Sequence, residues 1–307
     1  MESILKHITV IINGEAGSGH DDAMADDLRA KFRSHGMAAD VVLAKGGEEM
    51  IASARAAVER GVAMVAGGGG DGTQNAVAAQ LVGTGIPYGV LPMGTLNHFA
   101  KDLGIPLDLD GAVRTIATGV PKQVDVGEVN DQVFLNNSSL GLYPDIVRDR
   151  EKQQSRLGRG KWPAAMWATL AALRRYPFLS VRMQADDTRL ARRTPFVFIG
   201  NNEYTMEGLA IGARGRLDAG TLSLYVAQRP GRLGLLRFAL RALLGGLKEE
   251  RDFDVLLARD MTIETRHKHL HVAFDGEVTK MATPLHYRIR PGALTVMVPD
   301  SASNKEE

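Results

Sequence analysis

The sequence predicts an α/β plus β chain: an N-terminal Rossmann-like parallel α/β domain followed by a C-terminal antiparallel β-sandwich domain. Three observations carry this reading. Up to about Gly119-Val120-Pro121, short apolar runs alternate with helix-like stretches, the pattern of an open parallel sheet with helices on both faces. Three of those runs end in glycine-containing turns, and ligands bind at the carboxyl ends of such strands. Beyond Pro121 strand-like pieces dominate and short turns join them, which points to antiparallel pairing. At 307 residues the chain is long enough for two cores.

The first strand is expected at Ile8 to Ile12, followed by a glycine-rich turn, Asn13-Gly14-Glu15-Ala16-Gly17-Ser18-Gly19, and a helix from about Asp21 to Ser34. A short strand at Ala39 to Leu43 precedes a helix at about Glu48 to Arg60, whose Met50, Ala54 and Val58 share a face. Next, the apolar run Val62 to Ala66 reads as a buried strand. It leads into Gly67-Gly68-Gly69-Gly70-Asp71-Gly72-Thr73 as a turn and then a helix at Gln74 to Leu81. A fourth strand, Tyr88 to Leu91, ends in Pro92-Met93-Gly94-Thr95-Leu96-Asn97-His98. The first domain is expected to span 1–121, completed by a last strand at about 294–300, and the β-rich second domain 122–293.

In the second half, strands are expected at Gln123 to Val129, Val133 to Asn136, Leu179 to Met183, Pro195 to Ile199, Thr221 to Val226, Asp252 to Leu257, Met261 to Glu264, His269 to Phe274, Leu285 to Ile289 and Leu294 to Val298, with Asn130-Asp131 as a hairpin signal. Two helices interrupt them. One runs from about Trp162 to Arg175; the other, Arg232 to Gly245, sets leucines against arginines and suits either a core or a membrane interface.

Composition narrows the chemistry. The chain has no cysteine, which excludes disulfides, thiolate metal sites and a cysteine nucleophile and fits a reducing cytoplasm. It offers no run of eighteen apolar residues, so neither a signal peptide nor a membrane span is expected. From Arg148 to Arg193 twelve Lys or Arg stand against four acids, +8, leaving −7 for the remainder of a chain of net charge +1. Such a segment suits an anionic surface, and a solvated face explains it as well. Trp162, Trp167 and Tyr176 nearby fall on helical spacing and suit anchors more than base-stacking platforms, so no nucleic acid is expected.

The glycine-rich stretch before Gln74 is where chemistry is expected. Glycine lets the backbone approach a ligand, and the following helix aims N–H groups and its positive dipole end at the same place, a natural seat for phosphate. Asp71 would repel a bare phosphate, so it fits if a divalent cation or a hydroxyl donor intervenes. A merely flexible turn is the bland alternative. His267, His269 and His271 have spacing that can hold zinc, but the wet face of a strand accounts for them too. Asp275 and Glu277 flank a hairpin-type Asp-Gly, which by itself is an ordinary turn signal.

Taken in order, Gly69-Gly70-Asp71-Gly72-Thr73, Pro92-x-Gly94-Thr95-x-Asn97 and Asp275-Gly276-Glu277 resemble the diacylglycerol kinase catalytic-domain family, which includes sphingosine and ceramide kinases and is distantly related to NAD kinases. Asn13 to Gly19 looks like its opening turn, with Gly14 where proline is usual, and Phe134 to Gly141 resembles the start of its second domain. The resemblance implies an active site in a cleft between two domains and ATP-dependent phosphorylation of a lipid hydroxyl, such as that of diacylglycerol. It implies that Asn13, Gly69, Gly70, Asp71, Gly72, Thr73, Gly94, Thr95 and Asn97 bind the nucleotide. It further implies that Asp275, Glu277 and Asp71 are catalytic, and that Mg²⁺ is held by Asp71 with Asp218 as a second candidate. The implied partners are a lipid substrate and, peripherally, an anionic membrane surface reached from the cytoplasm; a homodimer stays open.

Three positions depart from the family pattern: His98 where Asp is general, Ala219 where the family often has a second acid, and Val42 where some members have a nucleotide-contacting threonine. His98 and Ala219 motivate the alternative of a non-catalytic nucleotide or lipid sensor. The Gly-Asp-Gly-Thr loop alone would also fit a kinase for a soluble acceptor, as in NAD kinases, which lack the Gly-Thr-x-Asn segment.

Overall fold

The computed structural model describes residues 6–14, 22–141, 179–207, 210–227 and 253–300. Part of the opening turn (Glu15 to Gly19), the helix expected at Trp162 to Arg175 with most of the basic segment, and the helix expected at Arg232 to Gly245 lie outside the described residues. The chain forms two compact units, one of residues up to Val126 and from Arg290 onward, the other of Gly127–Ile289.

The first unit is a parallel sheet in the order Met37–Ala44, Lys6–Asn13, Val65–Gly69, Tyr88–Pro92. Its first strand is buried without interruption from Ile8 to Ile12, as a strand covered on both faces must be. The chain leaves that strand to one side through helix Asp22–Ser34 and returns to its other side through helix Gly47–Glu59. Right-handed crossovers therefore put these helices on opposite faces. Ala25, Leu28 and Phe32 are the buried side of the first helix, and Met50, Ala54 and Ala57 that of the second. Ala57 rather than Val58 completes the second face; Val58 is half-buried. A fifth helix, Leu109–Thr118, which the sequence reading does not name, is capped by Asp108, whose Oδ1 accepts from Gly111 N at 2.7 Å.

One expectation is overturned in its detail. The central strand is Val65–Gly69, so three of the four glycines lie inside a fully buried strand rather than in the turn. Their role is close packing. A Cβ on Gly67 would fall 2.2 Å from the Tyr88 hydroxyl, one on Gly68 3.0 Å from both Ile12 Cγ1 and Met93 Sδ, and one on Gly69 2.4 Å from Thr73 Oγ1. Gly70 alone makes the turn, and the helix Asp71–Ala78 begins at the acid itself.

The second unit has a six-stranded antiparallel sheet in the order Phe253–Ala258, Leu222–Ala227, Phe196–Asn201, Asn137–Gly141, His269–Phe274, Glu277–Ala282. Strands Leu179–Ala185, Thr188–Thr194 and Asp260–Thr265 pair in a second layer with the start of the final strand. Leu140, Ile199, Leu224 and Val272 from one layer share a core with Met183, Met261, Ile263 and Tyr287 from the other, which makes a sandwich. The hairpin at Asn130-Asp131 forms with both residues at positive φ, 43° and 65°. The final strand, expected as two pieces, is one, Leu285–Val298. It runs through a left-handed kink at Gly292 (φ +57°), whose N–H donates to Asp125 at 2.9 Å. Thr188–Thr194, Glu277–Ala282 and the pair Tyr204–Glu207 with Ala210–Arg214 are strands the sequence reading does not name.

Candidate active site

Strand register brings the predicted nucleotide residues to one edge of the first unit. Asn13 pairs with Ala44, Ile12 with Gly68, and Gly69 with Pro92, so the turns after three parallel strands emerge side by side. The chain reverses direction around strand Lys6–Asn13, and an open α/β sheet binds its ligand at such a switch point.

Two of the turns touch. A Cβ on Gly94 would lie 2.3 Å from Gly70 Cα, so position 94 requires glycine to let backbone meet backbone. Met93 N donates to Gly69 O at 3.1 Å, tying the turns at their base. Asn97, in the left-handed region at φ 51° and ψ 46°, closes the second turn: its Oδ1 accepts from Gly94 N at 3.0 Å and its Nδ2 donates to Gly94 O at 2.8 Å. Its side chain thus shapes the loop. Thr95 is exposed at the tip, Thr73 is buried against Gly69, and Gly70, Asp71 and Gly72 are half-buried. Asp71 Oδ1 accepts from Phe99 N at 3.2 Å, which joins the first turn of one helix to the first turn of His98–Asp102.

Beneath this edge lies a residue the sequence reading passes over. Gln74 is buried and its Nε2 lies 3.1 to 3.2 Å from the carbonyls of Gly67, Gly69 and Leu91, while its Oε1 accepts from the Tyr88 hydroxyl at 2.6 Å. Burial pushes the Tyr88 phenol up, so it stays a donor. A glutamine among the small residues of a short helix that directly follows a buried glycine strand is the signal that could have found it.

Asp275 and Glu277 belong to the second unit. Asp275-Gly276 is a two-residue hairpin turn with both φ positive, 46° and 90°. Glu277 is exposed and pairs across the hairpin with Phe274. Asp275 is buried, and its carboxylate is held by three consecutive amides. Oδ2 accepts from Leu135 N at 2.6 Å, and Oδ1 accepts from Asn136 N at 2.9 Å and Asn137 N at 3.1 Å. Burial raises its pKa to about 6, against the lowering effect of those amides and of Arg214.

Among the described residues no three His, Asp or Glu are grouped to hold a metal. His267, His269 and His271 are exposed, and Asp218 accepts from Arg216 Nε at 2.9 Å. Ala219 offers its N–H to Asn202 Oδ1 at 2.9 Å. A dedicated cage is therefore missing from these residues. One half-buried carboxylate, Asp71, would hold a Mg²⁺, which would supply positive charge to a bound phosphate.

Known proteins resemble this chain across both units. The sequence profile of the diacylglycerol kinase catalytic domain matches residues 7–129, and that of the YegS C-terminal NAD kinase beta sandwich-like domain matches residues 145–298. A diacylglycerol kinase of Mycobacterium tuberculosis is 29% identical over 303 residues, covering 95% of each chain. A Pseudomonas aeruginosa protein named "Probable lipid kinase YegS-like" is 30% identical over 250 residues, 79% of each chain. A crystal structure of a Bacillus anthracis diacylglycerol kinase matches the fold with a TM-score of 0.70 at 20% identity, covering 98% of this chain and 99% of that one. With a parallel α/β unit carrying the Gly-Asp-Gly-Thr turn and an antiparallel sandwich carrying Asp-Gly-Glu, the chain belongs to the diacylglycerol kinase catalytic-domain family.

Proposed function

We propose that this protein is an ATP-dependent lipid kinase that transfers the γ-phosphoryl group of ATP to the hydroxyl of a lipid such as diacylglycerol. The observation that carries the reading is the paired edge of the first unit. There the Gly70 and Gly94 backbones meet, and the helix that starts at Asp71 directs its first N–H groups toward the ends of the strands. Phosphoryl transfer asks a protein for positioning and charge neutralisation, and backbone held this tightly supplies the first. Asp71 would hold Mg²⁺, which when bound neutralises phosphate charge. Asn13, Thr73 and Thr95 extend the same edge.

For the acceptor, Asp275 has the suitable acid. Its Oδ1 already takes two N–H groups and its Oδ2 only one, so Oδ2 keeps a lone pair for the acceptor hydroxyl. A pKa of about 6 leaves it ionised at neutral pH yet basic enough to take that proton as the alcohol oxygen attacks and ADP departs. Glu277, exposed at the same turn, would guide the incoming headgroup.

A membrane-borne acceptor is met at the cytoplasmic surface by basic residues. Arg182, Arg189 and Arg193 lie on one exposed face of the hairpin Leu179–Ala185 with Thr188–Thr194, where the register pairs Arg182 with Ala191, Ser180 with Arg193 and Gln184 with Arg189. No helix among the described residues is long and apolar enough to cross a membrane. The test is incubation of the purified protein with Mg²⁺ and γ-labelled ATP in mixed micelles containing diacylglycerol or a total bacterial lipid extract, with Asp71→Asn alongside. Label in the organic phase from the wild type alone supports the kinase and delivers its product. ATP binding without transfer to any lipid sinks it in favour of the sensor, and label on NAD would move the reading to a soluble acceptor.

A further inference from the structure

Arg214 ends the strand Ala210–Arg214 with its residue only 4% exposed, a buried cation that the phosphoryl-transfer reading does not use. Its guanidinium is held by main-chain and side-chain amide oxygens. Nη1 donates to Leu135 O at 2.7 Å and to Asn201 O at 3.1 Å, and Nη2 donates to the Asn136 side-chain Oδ1 at 2.8 Å. Asn201 Nδ2 donates to the same Leu135 carbonyl at 2.8 Å, and the Tyr204 hydroxyl donates to Asn136 O at 3.0 Å. The Tyr204 ring lies beneath the guanidinium, 5.4 Å from its carbon.

The peptide between Leu135 and Asn136 is therefore gripped at both ends. Its carbonyl takes the guanidinium, and its N–H goes to the Asp275 carboxylate at 2.9 Å. A cation on the oxygen and an anion on the hydrogen polarise one amide in the same sense, which strengthens both bonds. Two charges that are each expensive to bury are joined through a peptide group that stays neutral and offers each of them a hydrogen bond.

We propose that Arg214 is a positioning residue for Asp275: through the Leu135–Asn136 peptide it fixes the orientation of the Asp275 carboxylate and keeps that carboxylate ionised at neutral pH. The proposal rests on the reading of Asp275 as the acid that handles the acceptor hydroxyl. The other titratable groups of the elements around Asp275 are few. The segment 134–141 has none, the hairpin's own strands carry His269, His271, Glu277 and Lys280, and the final strand brings Tyr287, whose hydroxyl bonds Ser138. Arg214 is the cation that acts on its charge.

The experiment follows the Asp275 carboxyl carbon by NMR through a pH titration of the full chain in the wild type, Arg214→Lys and Arg214→Gln, with kcat/KM against pH for lipid phosphorylation. Loss of the guanidinium charge should raise the Asp275 midpoint by about one pH unit. The acid limb of kcat/KM should move up with it, the KM for ATP should stay unchanged, and Arg214→Lys should recover part of the shift. An unchanged midpoint and unchanged limb in a folded Arg214→Gln protein would overturn the proposal, leaving Arg214 a packing residue. If neither variant folds, the wild type decides: the Arg214 guanidinium nitrogens must titrate with the Asp275 midpoint, and flat resonances refute the coupling. A wild type that phosphorylates no lipid defeats the kinase reading separately, because the carboxyl and guanidinium titrations still report on Arg214.

Discussion

The two polar centres of this molecule are built by opposite means. At the loop edge of the first unit the organising groups are neutral. Glycines admit backbone against backbone, and the amides of Gln74 and Asn97 hold carbonyls and N–H groups in place while Asp71, the acid among the described residues of these turns, stays half-buried. In the second unit a carboxylate and a guanidinium are both buried and share a single peptide. A neutral clamp sets shape at little desolvation cost, so it suits a place that must receive a highly charged ligand. A buried charge pair is costly to assemble, and what it gains is control over the protonation of one acid.

The sharpest way to break this contrast is Asp275→Asn. The amide puts an NH₂ group where three backbone donors converge and removes the negative charge that Arg214 faces through the shared peptide, which should cost about 3 to 5 kcal/mol in urea unfolding and abolish phosphoryl transfer. The pH dependence gives the sign. Because the folded pKa, about 6, lies above the ordinary value of 3.8, the acid binds its proton more tightly in the fold. Its contribution to stability is whole below pH 4 and is lost as pH rises through 6. The stability advantage of the wild type over Asp275→Asn should therefore shrink between pH 4 and pH 7, by roughly 1.4 kcal/mol for each pH unit separating the two values. A widening advantage would show that the three amides outweigh burial.

The neutral centre should respond to volume instead. Gly94→Ala places a methyl group 2.3 Å from Gly70 Cα, so the two turns must separate, for about 1 to 3 kcal/mol of stability. Movement of about 1 Å at a phosphate seat can lower turnover about 100-fold. This loss should be the same at every pH, which distinguishes it from the variant above. A Gly94→Ala enzyme with unaltered ATP affinity and rate would mean that this edge is not the nucleotide seat.

How much of each centre was legible follows from the same physics. The alternation of strands and helices, the switch to antiparallel pairing after Pro121 and the Asn130-Asp131 turn all rest on local pattern, and the structure carries them. The extent of the glycine strand was hidden because what requires Gly67 is the Tyr88 hydroxyl, contributed by the next strand. In the sequence Thr188–Thr194 shows only as part of a basic run; an edge strand with one wet face needs few apolar residues, and its exposed arginines hide its period. Arg214 and Asp275 carry no joint signal, since the group that links them is a main-chain amide identical in every sequence. The Asp-Gly turn was visible as a turn, but its acid's three amide partners lie some 140 positions earlier in the chain.

Gln74 and Tyr88 test whether the neutral centre is rigid by design of its buried layer. Tyr88→Phe removes a buried hydroxyl that meets both Gln74 Oε1, at 2.6 Å, and Gln74 O, at 3.3 Å, for about 1 kcal/mol. Gln74→Leu leaves three carbonyls without an amide and should cost more. If the pair acts as one unit, the double variant will be less destabilised than the sum of the singles, and the weakening of ATP binding by calorimetry will follow the same non-additivity. Strict additivity would separate the hydroxyl from the loop.

The smallest effect is expected where this chain departs from its family at the same edge. His98 is exposed at the start of the helix His98–Asp102, next to Phe99, whose N–H donates to Asp71. His98→Asp adds an anion at a helix N-terminus, a change of less than about 1 kcal/mol in stability. Its use is chemical. A second carboxylate one residue from the amide that anchors Asp71 raises the negative charge offered to a divalent cation, so half-maximal activity should be reached at a lower Mg²⁺ concentration while kcat changes little. Asp71→Asn should move the Mg²⁺ requirement in the opposite direction and further. If His98→Asp leaves the Mg²⁺ dependence untouched while Asp71→Asn shifts it, the cation is recruited by Asp71 and phosphate oxygens alone. The loop edge then stays, as its construction suggests, a seat made of backbone that borrows its charge from the ligand.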